Sequence, residues 1–351
     1  MKILSVVGAR PQFIKLAPVS RYLRQQHDEV LVHTGQHYDA NMSAIFFQQL
    51  HIPPPNYNLG VGSGAHGHQT GKMLMRLEDV FQRESPDVAL VYGDTNSTLA
   101  GALVAAKRHV PLVHIEAGLR SFNREMPEEI NRVLTDHVSD LLCCPTETAV
   151  VNLEREGVTA GVHNTGDVMY DAVLYNSQLA RAESDVLHRL RLRPRNFLLA
   201  TVHRAENTDD LRRLRDIMKA LNGIDESIVF PIHPRTRERL KHLDLLLQRH
   251  IELIEPVGYL DMLALEMSAR KILTDSGGVQ KEAYFVATPC ITLREETEWV
   301  ETVDAGWNTL VGADKAAILA AVEAPCPTGQ RPPYFGDGKA HVQVVDLLDS
   351  L

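Results

Sequence analysis

Thr274-Asp275-Ser276-Gly277-Gly278-Val279-Gln280-Lys281-Glu282 carries the most chemical information in this chain. An apolar run, Ile272-Leu273, precedes it, and a helix-like stretch, Glu282-Ala283-Tyr284-Phe285, follows. A strand that ends in small residues and opens a helix leaves backbone N–H groups pointing outward. Those groups, with the partial positive charge of a helix start, bind phosphate. Glu282, one turn in, is placed to take ribose hydroxyls, so the segment suggests a nucleotide diphosphate.

Other reactive side chains also follow short apolar runs. Gly8-Ala9-Arg10-Pro11-Gln12-Phe13-Ile14-Lys15 offers two cations, Arg10 and Lys15, to one anion, and it lacks the dinucleotide GxGxxG spacing. Carboxylates stand in Gly93-Asp94-Thr95, in His114-Ile115-Glu116-Ala117-Gly118 and in Pro127-Glu128-Glu129-Ile130-Asn131-Arg132. Imidazoles stand in His203-Arg204-Ala205-Glu206-Asn207 and His233-Pro234-Arg235. Each has a plainer reading. Asp94 and Glu128 could be helix caps or first-turn charges, His203 a packed or surface histidine, and Arg10 an ion-pair partner. The glycine turn could be a tight connection only. His66, Gly67 and His68 lack a carboxylate or cysteine at ligand spacing and read as loop residues.

The elements that must position these groups alternate. Strands are expected over Ile3–Val7, Val30–Thr34, Val88–Tyr92 and Pro111–Ile115, with helices over Phe13–Leu23, Ser43–Leu50, His68–Glu84 and Ser97–Arg108 between them. A second series follows, with strands at Phe197–Val202, Ser227–Ile232, Glu252–Glu255, Lys271–Thr274 and Cys290–Leu293. Helices are expected there at Asp209–Leu221 and Leu260–Ala269, and a last one at Ala340–Leu348. Continuous apolar strands separated by helices imply parallel sheets covered on both faces, hence an α/β fold of two Rossmann-like domains. The division is expected at Asp167–Asp171, giving a first domain of 1–169 and a second of 170–335. Strand C-terminal ends would then line a central cleft.

The bulk numbers fit this picture. The 351 residues suggest about two domains. A net charge of −9 argues against nonspecific nucleic-acid binding. Cys143, Cys144, Cys290 and Cys326 form no CxxC pair, which argues against zinc and against a disulfide scaffold and favours a reducing cytoplasm. No signal peptide is apparent, and no apolar run reaches the roughly 18 residues a membrane helix needs.

Taken in order, Gly8-Ala9-Arg10-Pro11, Thr34-Gly35-Gln36-His37, Gly93-Asp94-Thr95, Glu116-Ala117-Gly118-Leu119-Arg120, Pro127-Glu128-Glu129-Ile130-Asn131-Arg132, Pro145-Thr146-Glu147, His203-Arg204-Ala205-Glu206-Asn207 and Thr274-Asp275-Ser276-Gly277-Gly278 resemble the non-hydrolysing UDP-N-acetylglucosamine 2-epimerases. The resemblance spans essentially the whole chain. It implies the GT-B arrangement of two domains facing a cleft, with a C-terminal helix, 336–351, returning to the first. It implies a reversible conversion of UDP-GlcNAc to UDP-ManNAc through elimination of UDP and a 2-acetamidoglucal, without cofactor or metal, in a cytoplasmic homodimer. Arg10, Lys15, His203, Ser276, Gly277 and Gly278 would then hold the diphosphate and Glu282 the ribose. The backbone near Val257–Tyr259 would take the uracil. Asp94, Glu116 and Glu128 would serve as acids and bases with His203 in the catalytic set, Arg132 would orient them, and His233 would join the substrate contacts. Gln36 and His37 resemble the part of the pattern linked to a second, regulatory UDP-GlcNAc site.

One segment departs from the family pattern. Many members read Thr-Glu-Arg-Pro-Glu where this chain reads Thr297-Glu298-Trp299-Val300-Glu301. An indole in place of a substrate-contacting guanidinium leaves the UDP groups intact and opens the sugar identity. UDP-2,3-diacetamido-2,3-dideoxyglucuronate is the alternative substrate. A retaining GT-B glycosyltransferase and a non-catalytic UDP-sugar sensor are the other classes. The acidic trio argues against both, because a transferase needs room there for an acceptor and a sensor needs no acid–base groups.

Overall fold

The computed structural model describes residues 1–36 and 47–351. The chain divides into two compact units, residues 1–172 with 333–351, and 173–332.

Unit 1 runs β1 (Lys2–Val7), α1 (Arg10–Leu23), β2 (Asp28–His33), β3 (Tyr57–Asn58), α2 (His66–Glu84), β4 (Val88–Tyr92), α3 (Asn96–Lys107) and β5 (Leu112–Ile115). It continues through α4 (Pro127–His137), β6 (Leu141–Cys144), α5 (Glu147–Arg155) and β7 (Val162–Asn164). Helix α6 (Val168–Glu183) contains the division point. The seven strands form one parallel sheet in the order β3-β2-β1-β4-β5-β6-β7. Its central strands are buried along nearly their whole length, as a sheet covered on both faces requires. On one face Leu4, Val6, Val32 and Val91 pack against Met73, Leu77 and Phe81 of α2.

Unit 2 contains α7 (Val186–Arg189), β8 (Leu198–Thr201), α8 (Ala205–Asp209), α9 (Leu211–Asn222), β9 (Ile228–Pro231), α10 (Pro234–Leu240) and β10 (Ile251–Ile254). Then follow α11 (Tyr259–Ser268), β11 (Lys271–Thr274), α12 (Gly277–Phe285), β12 (Cys290–Thr292), α13 (Val300–Asp304), β13 (Asn308–Leu310) and α14 (Lys315–Glu323). The six strands are parallel in the order β10-β9-β8-β11-β12-β13. Leu198, Ala200, Phe230 and Leu273 pack beneath Leu214, Ile217 and Ile318. Strand order reverses between β1 and β4 in one unit and between β8 and β11 in the other, so each sheet has the doubly wound topology. The α/β class with two Rossmann-like units is the observed one.

The last helix, α15 (Ala340–Leu348), packs on α1 within unit 1. His341 sits edge-on to Tyr22 at 5.7 Å, and both its backbone N–H and its Nδ1 lie 2.7 Å from Oδ2 of Asp171. The preceding loop is held by a hydrogen bond of 3.0 Å from Asp167 N–H to the Phe335 carbonyl.

Some elements differ from the sequence expectation. Helix α2 starts at His66, two residues before the expected His68, so both histidines read as loop residues lie in its first turn, and Nδ1 of His66 lies 3.2 Å from Nδ2 of Asn96. Short elements such as β7, α5, α10, β13 and α14 carry too few residues, or too little periodicity, to announce themselves. The helix expected over Ser43–Leu50 falls partly outside the described residues, as does His37. Cys143, Cys144 and Cys290 are buried free thiols, and burial pushes Cys143 and Cys290 up to about 12. Among the described residues no helix is long and apolar enough to cross a membrane.

Candidate active site

Ligands of doubly wound sheets bind beyond the carboxyl ends of the strands, at the point of reversal. In unit 1 those ends are Gly8-Ala9-Arg10 after β1 and Gly93-Asp94 after β4. No side chain fits at Gly8, where a β-carbon would come within 2.0 Å of Ser97 Oγ and 2.1 Å of Thr34 Oγ1. The Gln12 side chain closes the turn, its Oε1 accepting from the N–H groups of Gly8 (2.7 Å) and Ala9 (3.0 Å). The turn delivers a half-buried Arg10 as the first residue of α1 and Lys15 one turn further on.

Lys15 is buried and paired with Oε2 of Glu116, which follows β5. Glu116 holds a backbone φ of +72°, in the left-handed region that non-glycine residues rarely occupy. Its N–H and that of Ala117 both donate to the Cys143 carbonyl at 3.1 Å, which fixes this turn. Such strain costs about 1–3 kcal/mol and is kept where the placement of a side chain matters. Gly93 completes the arrangement: a β-carbon there would lie 3.0 Å from both Lys15 Nζ and Glu116 Oε2.

Asp94 is paired with Arg132 of α4, whose Nη2 donates to Asp94 Oδ2 at 2.5 Å. The other arm of Arg132 donates to Oε2 of Glu129 at 3.0 Å, and Glu129 also accepts from Ser121 N–H and Oγ and from Phe122 N–H, all at 2.9 Å. Glu128 is the carboxylate of this helix that the family resemblance places in the acid–base set. The structure places Glu129 inward, whereas Glu128 is half-buried and makes no hydrogen bond or ion pair among the described residues. Adjacent helix positions differ by about 100° around the axis, so only packing decides which one points in. Asn131 Nδ2 holds the Asp94 carbonyl at 2.9 Å. Gln36 accepts from Ser97 N–H and Oγ at 3.1 and 2.7 Å.

Behind these groups lies a buried network that sequence reasoning missed. His114 Nδ1 lies 2.6 Å from Asp136 Oδ1, and its Nε2 lies 2.7 Å from the Gly93 carbonyl. Asp136 also accepts from Arg120 Nη1 at 2.7 Å, and Arg120 grips Glu156 with two bonds of 2.6 and 2.8 Å. Burial pushes the Asp136 carboxyl up, but the bonds from His114 and Arg120 outweigh it and hold the group below the usual range. A depressed carboxyl contributes stability above its unfolded value, about 3.9, and loses it as pH falls through the folded value. Asp136→Asn is therefore expected to cost about 3–5 kcal/mol at pH 7. Its deficit against the wild type should narrow below about pH 4; urea unfolding across pH 3–7 measures both.

In unit 2, Ser276 caps α12, its Oγ accepting from Val279 N–H at 3.5 Å, and Gly277 and Gly278 form the first turn. Asp275 immediately precedes this turn. It is fully buried and accepts from the N–H groups of His203 (3.1 Å) and Arg204 (3.0 Å) and from Asn207 Nδ2 (3.1 Å). It thereby locks the loop after β8 against the turn after β11, and the His203 ring lies 5.9 Å from that of His233. His233 caps α10, its Nδ1 accepting from Arg235 N–H at 3.2 Å.

Glu282 is buried with Tyr259 and Glu266, and its Oε1 has no hydrogen-bond partner among the described residues. Burial pushes Glu282 up to about 7 against the pull of Tyr259 and Lys281. Burial and then Glu282 raise Glu266 still more strongly. A raised carboxyl destabilises the folded state progressively as pH climbs from about 4.3 through the folded value. Glu282→Gln should therefore flatten the loss of stability between pH 5 and pH 8, read by urea unfolding.

Trp299, at the departure from the family pattern, is buried, with Lys281 Nζ 3.9 Å from the centre of its ring. A β-carbon on Gly277 would lie 3.5 Å from Trp299 Nε1, so the indole edge borders the first turn of α12.

Carboxylate–cation pairs at the strand ends of one doubly wound unit, and a glycine turn at those of the other, are the features of an enzyme acting on a nucleotide-linked sugar. The family described as UDP-N-acetylglucosamine 2-epimerase matches residues 21–349, and the chain belongs to it. It is 54% identical over 362 residues to a UDP-N-acetylglucosamine 2-epimerase homolog of Methanococcus maripaludis, with all of both chains covered. It is 50% identical over 364 residues to the UDP-2,3-diacetamido-2,3-dideoxy-D-glucuronate 2-epimerase of Pseudomonas aeruginosa, again with all of both chains covered. The crystal structure of the Methanocaldococcus jannaschii UDP-GlcNAc 2-epimerase in complex with UDP-GlcNAc and UDP superposes with a TM-score of 0.94 at 47% identity, covering 100% of each chain.

Proposed function

We propose that this chain is a UDP-N-acetylglucosamine 2-epimerase that interconverts UDP-GlcNAc and UDP-ManNAc. The C2 proton is not next to a carbonyl, so its removal alone would leave an unstabilised carbanion. Loss of the C2 proton with cleavage of the C1–O bond instead releases UDP and forms a 2-acetamidoglucal. A proton then returns to C2 on the opposite face and UDP re-adds at C1. Asp94, Glu116 and Glu128 are the acid–base candidates, and Ser276, Gly277 and Gly278 with His203 retain UDP between the two steps. Arg10 and His233 add substrate contacts, and Glu282 takes the ribose.

The observation that carries this reading is the pairing of two strand-end carboxylates with cations, Glu116 with Lys15 and Asp94 with Arg132. Protein incubated with UDP-GlcNAc in D2O should place deuterium at C2 and accumulate UDP-ManNAc, both read by NMR. Absence of both excludes this substrate. Trp299 favours a second reading, UDP-2,3-diacetamido-2,3-dideoxyglucuronate, the sugar nucleotide named for the Pseudomonas relative. The same experiment with that compound separates the two by turnover. A cytoplasmic homodimer and a regulatory UDP-GlcNAc site near Gln36 and His37 accompany the proposal on the strength of the family resemblance.

A further inference from the structure

We propose that Arg204 is a diphosphate-binding residue, supplying within unit 2 the cation that the glycine turn lacks. The inference rests on the UDP-sugar reading above and adds a residue to it.

A helix start contributes only about half an elementary charge, while a diphosphate released from the sugar carries several. The turn at Ser276–Gly278 needs a full cation nearby. Lys15 does not serve in the arrangement observed, because its ammonium is committed to Glu116 in unit 1. Nor does Lys281, which is 1% exposed and stacked on Trp299. Glu298 brings a negative charge toward the turn, its Oε2 3.8 Å from a β-carbon built on Gly277. Arg294 neutralises that carboxylate with bonds of 3.1 and 3.3 Å and is itself buried.

Arg204 remains. Its Nη2 would lie 3.6 Å from the same β-carbon on Gly277, so the guanidinium flanks the first turn of α12. Its backbone is fixed at both ends, N–H donating to Asp275 at 3.0 Å and the carbonyl accepting from Thr208 Oγ1 at 2.9 Å. Its side chain, half-buried, makes no hydrogen bond or ion pair among the described residues. An anchored backbone with an uncommitted guanidinium beside open N–H groups is suited to a bidentate phosphate contact.

The test compares UDP and uridine binding to the full chain by calorimetry, for wild type, Arg204→Gln and Arg204→Lys. Loss of a charge-assisted hydrogen bond predicts UDP binding about 10- to 100-fold weaker in Arg204→Gln. Uridine affinity should be unchanged and Arg204→Lys should recover part of the loss. Unchanged UDP affinity in Arg204→Gln overturns the proposal, and so does an equal loss for uridine, which would mark a structural role. Failure of the wild type to bind UDP removes the UDP-sugar reading itself, and the proposal with it.

Discussion

Asp94→Asn is expected to lower C2 proton exchange by about 100- to 10,000-fold, the range for removing a positioned acid or base, while UDP affinity stays near the wild-type value. The amide is nearly isosteric and can still accept from Arg132 Nη2, now 2.5 Å from Oδ2, so the local geometry survives. The proton-transfer capacity does not. The turn proposed to hold the diphosphate, Ser276–Gly278, lies in the other unit and is untouched. Single-turnover deuterium incorporation at C2 together with calorimetric UDP binding reads both halves. Near-normal exchange would remove Asp94 from the acid–base set.

Lys15→Met is expected to damage both stability and activity. The ammonium and the Glu116 carboxylate are both buried, with side-chain exposures of 9% and 5%. Removing one member of such a pair strands the other charge and costs about 3–5 kcal/mol. Coupling should appear in a double-mutant cycle: Lys15→Met with Glu116→Gln should unfold at a higher urea concentration than Lys15→Met alone, because no unpaired charge is left. Both variants should lose C2 exchange. Additive stability losses would show that the pair does not act as a unit.

Much of the fold was legible because its signals are local. Leu198–Thr201 and Lys271–Thr274 are buried on both sides and read as uninterrupted apolar strands. Gly277 and Gly278 mark a strand-to-helix turn by their lack of side chains. The candidate site was legible to the extent that reactive residues follow strands, as Asp94, Glu116 and His203 do. His114 was not, because a histidine inside an apolar strand shows its role only through Asp136 and the Gly93 carbonyl, 22 and 21 residues away. The role of Asp275 was not legible either, since the loop after β8 has to pack against it before its carboxylate finds the N–H groups of His203 and Arg204.

By itself the sequence determined the alternation of strands and helices, the family, and the strand ends at which chemistry is possible, because apolar runs, glycine turns and motif order are properties of neighbouring residues. Tertiary structure alone decided the pairings. Lys15 meets Glu116 across 101 residues, Arg132 selects Glu129 in preference to Glu128, and Arg204 is left facing the turn at Gly277. Which cation satisfies which carboxylate depends on burial and distance, and both exist only after the sheets have formed.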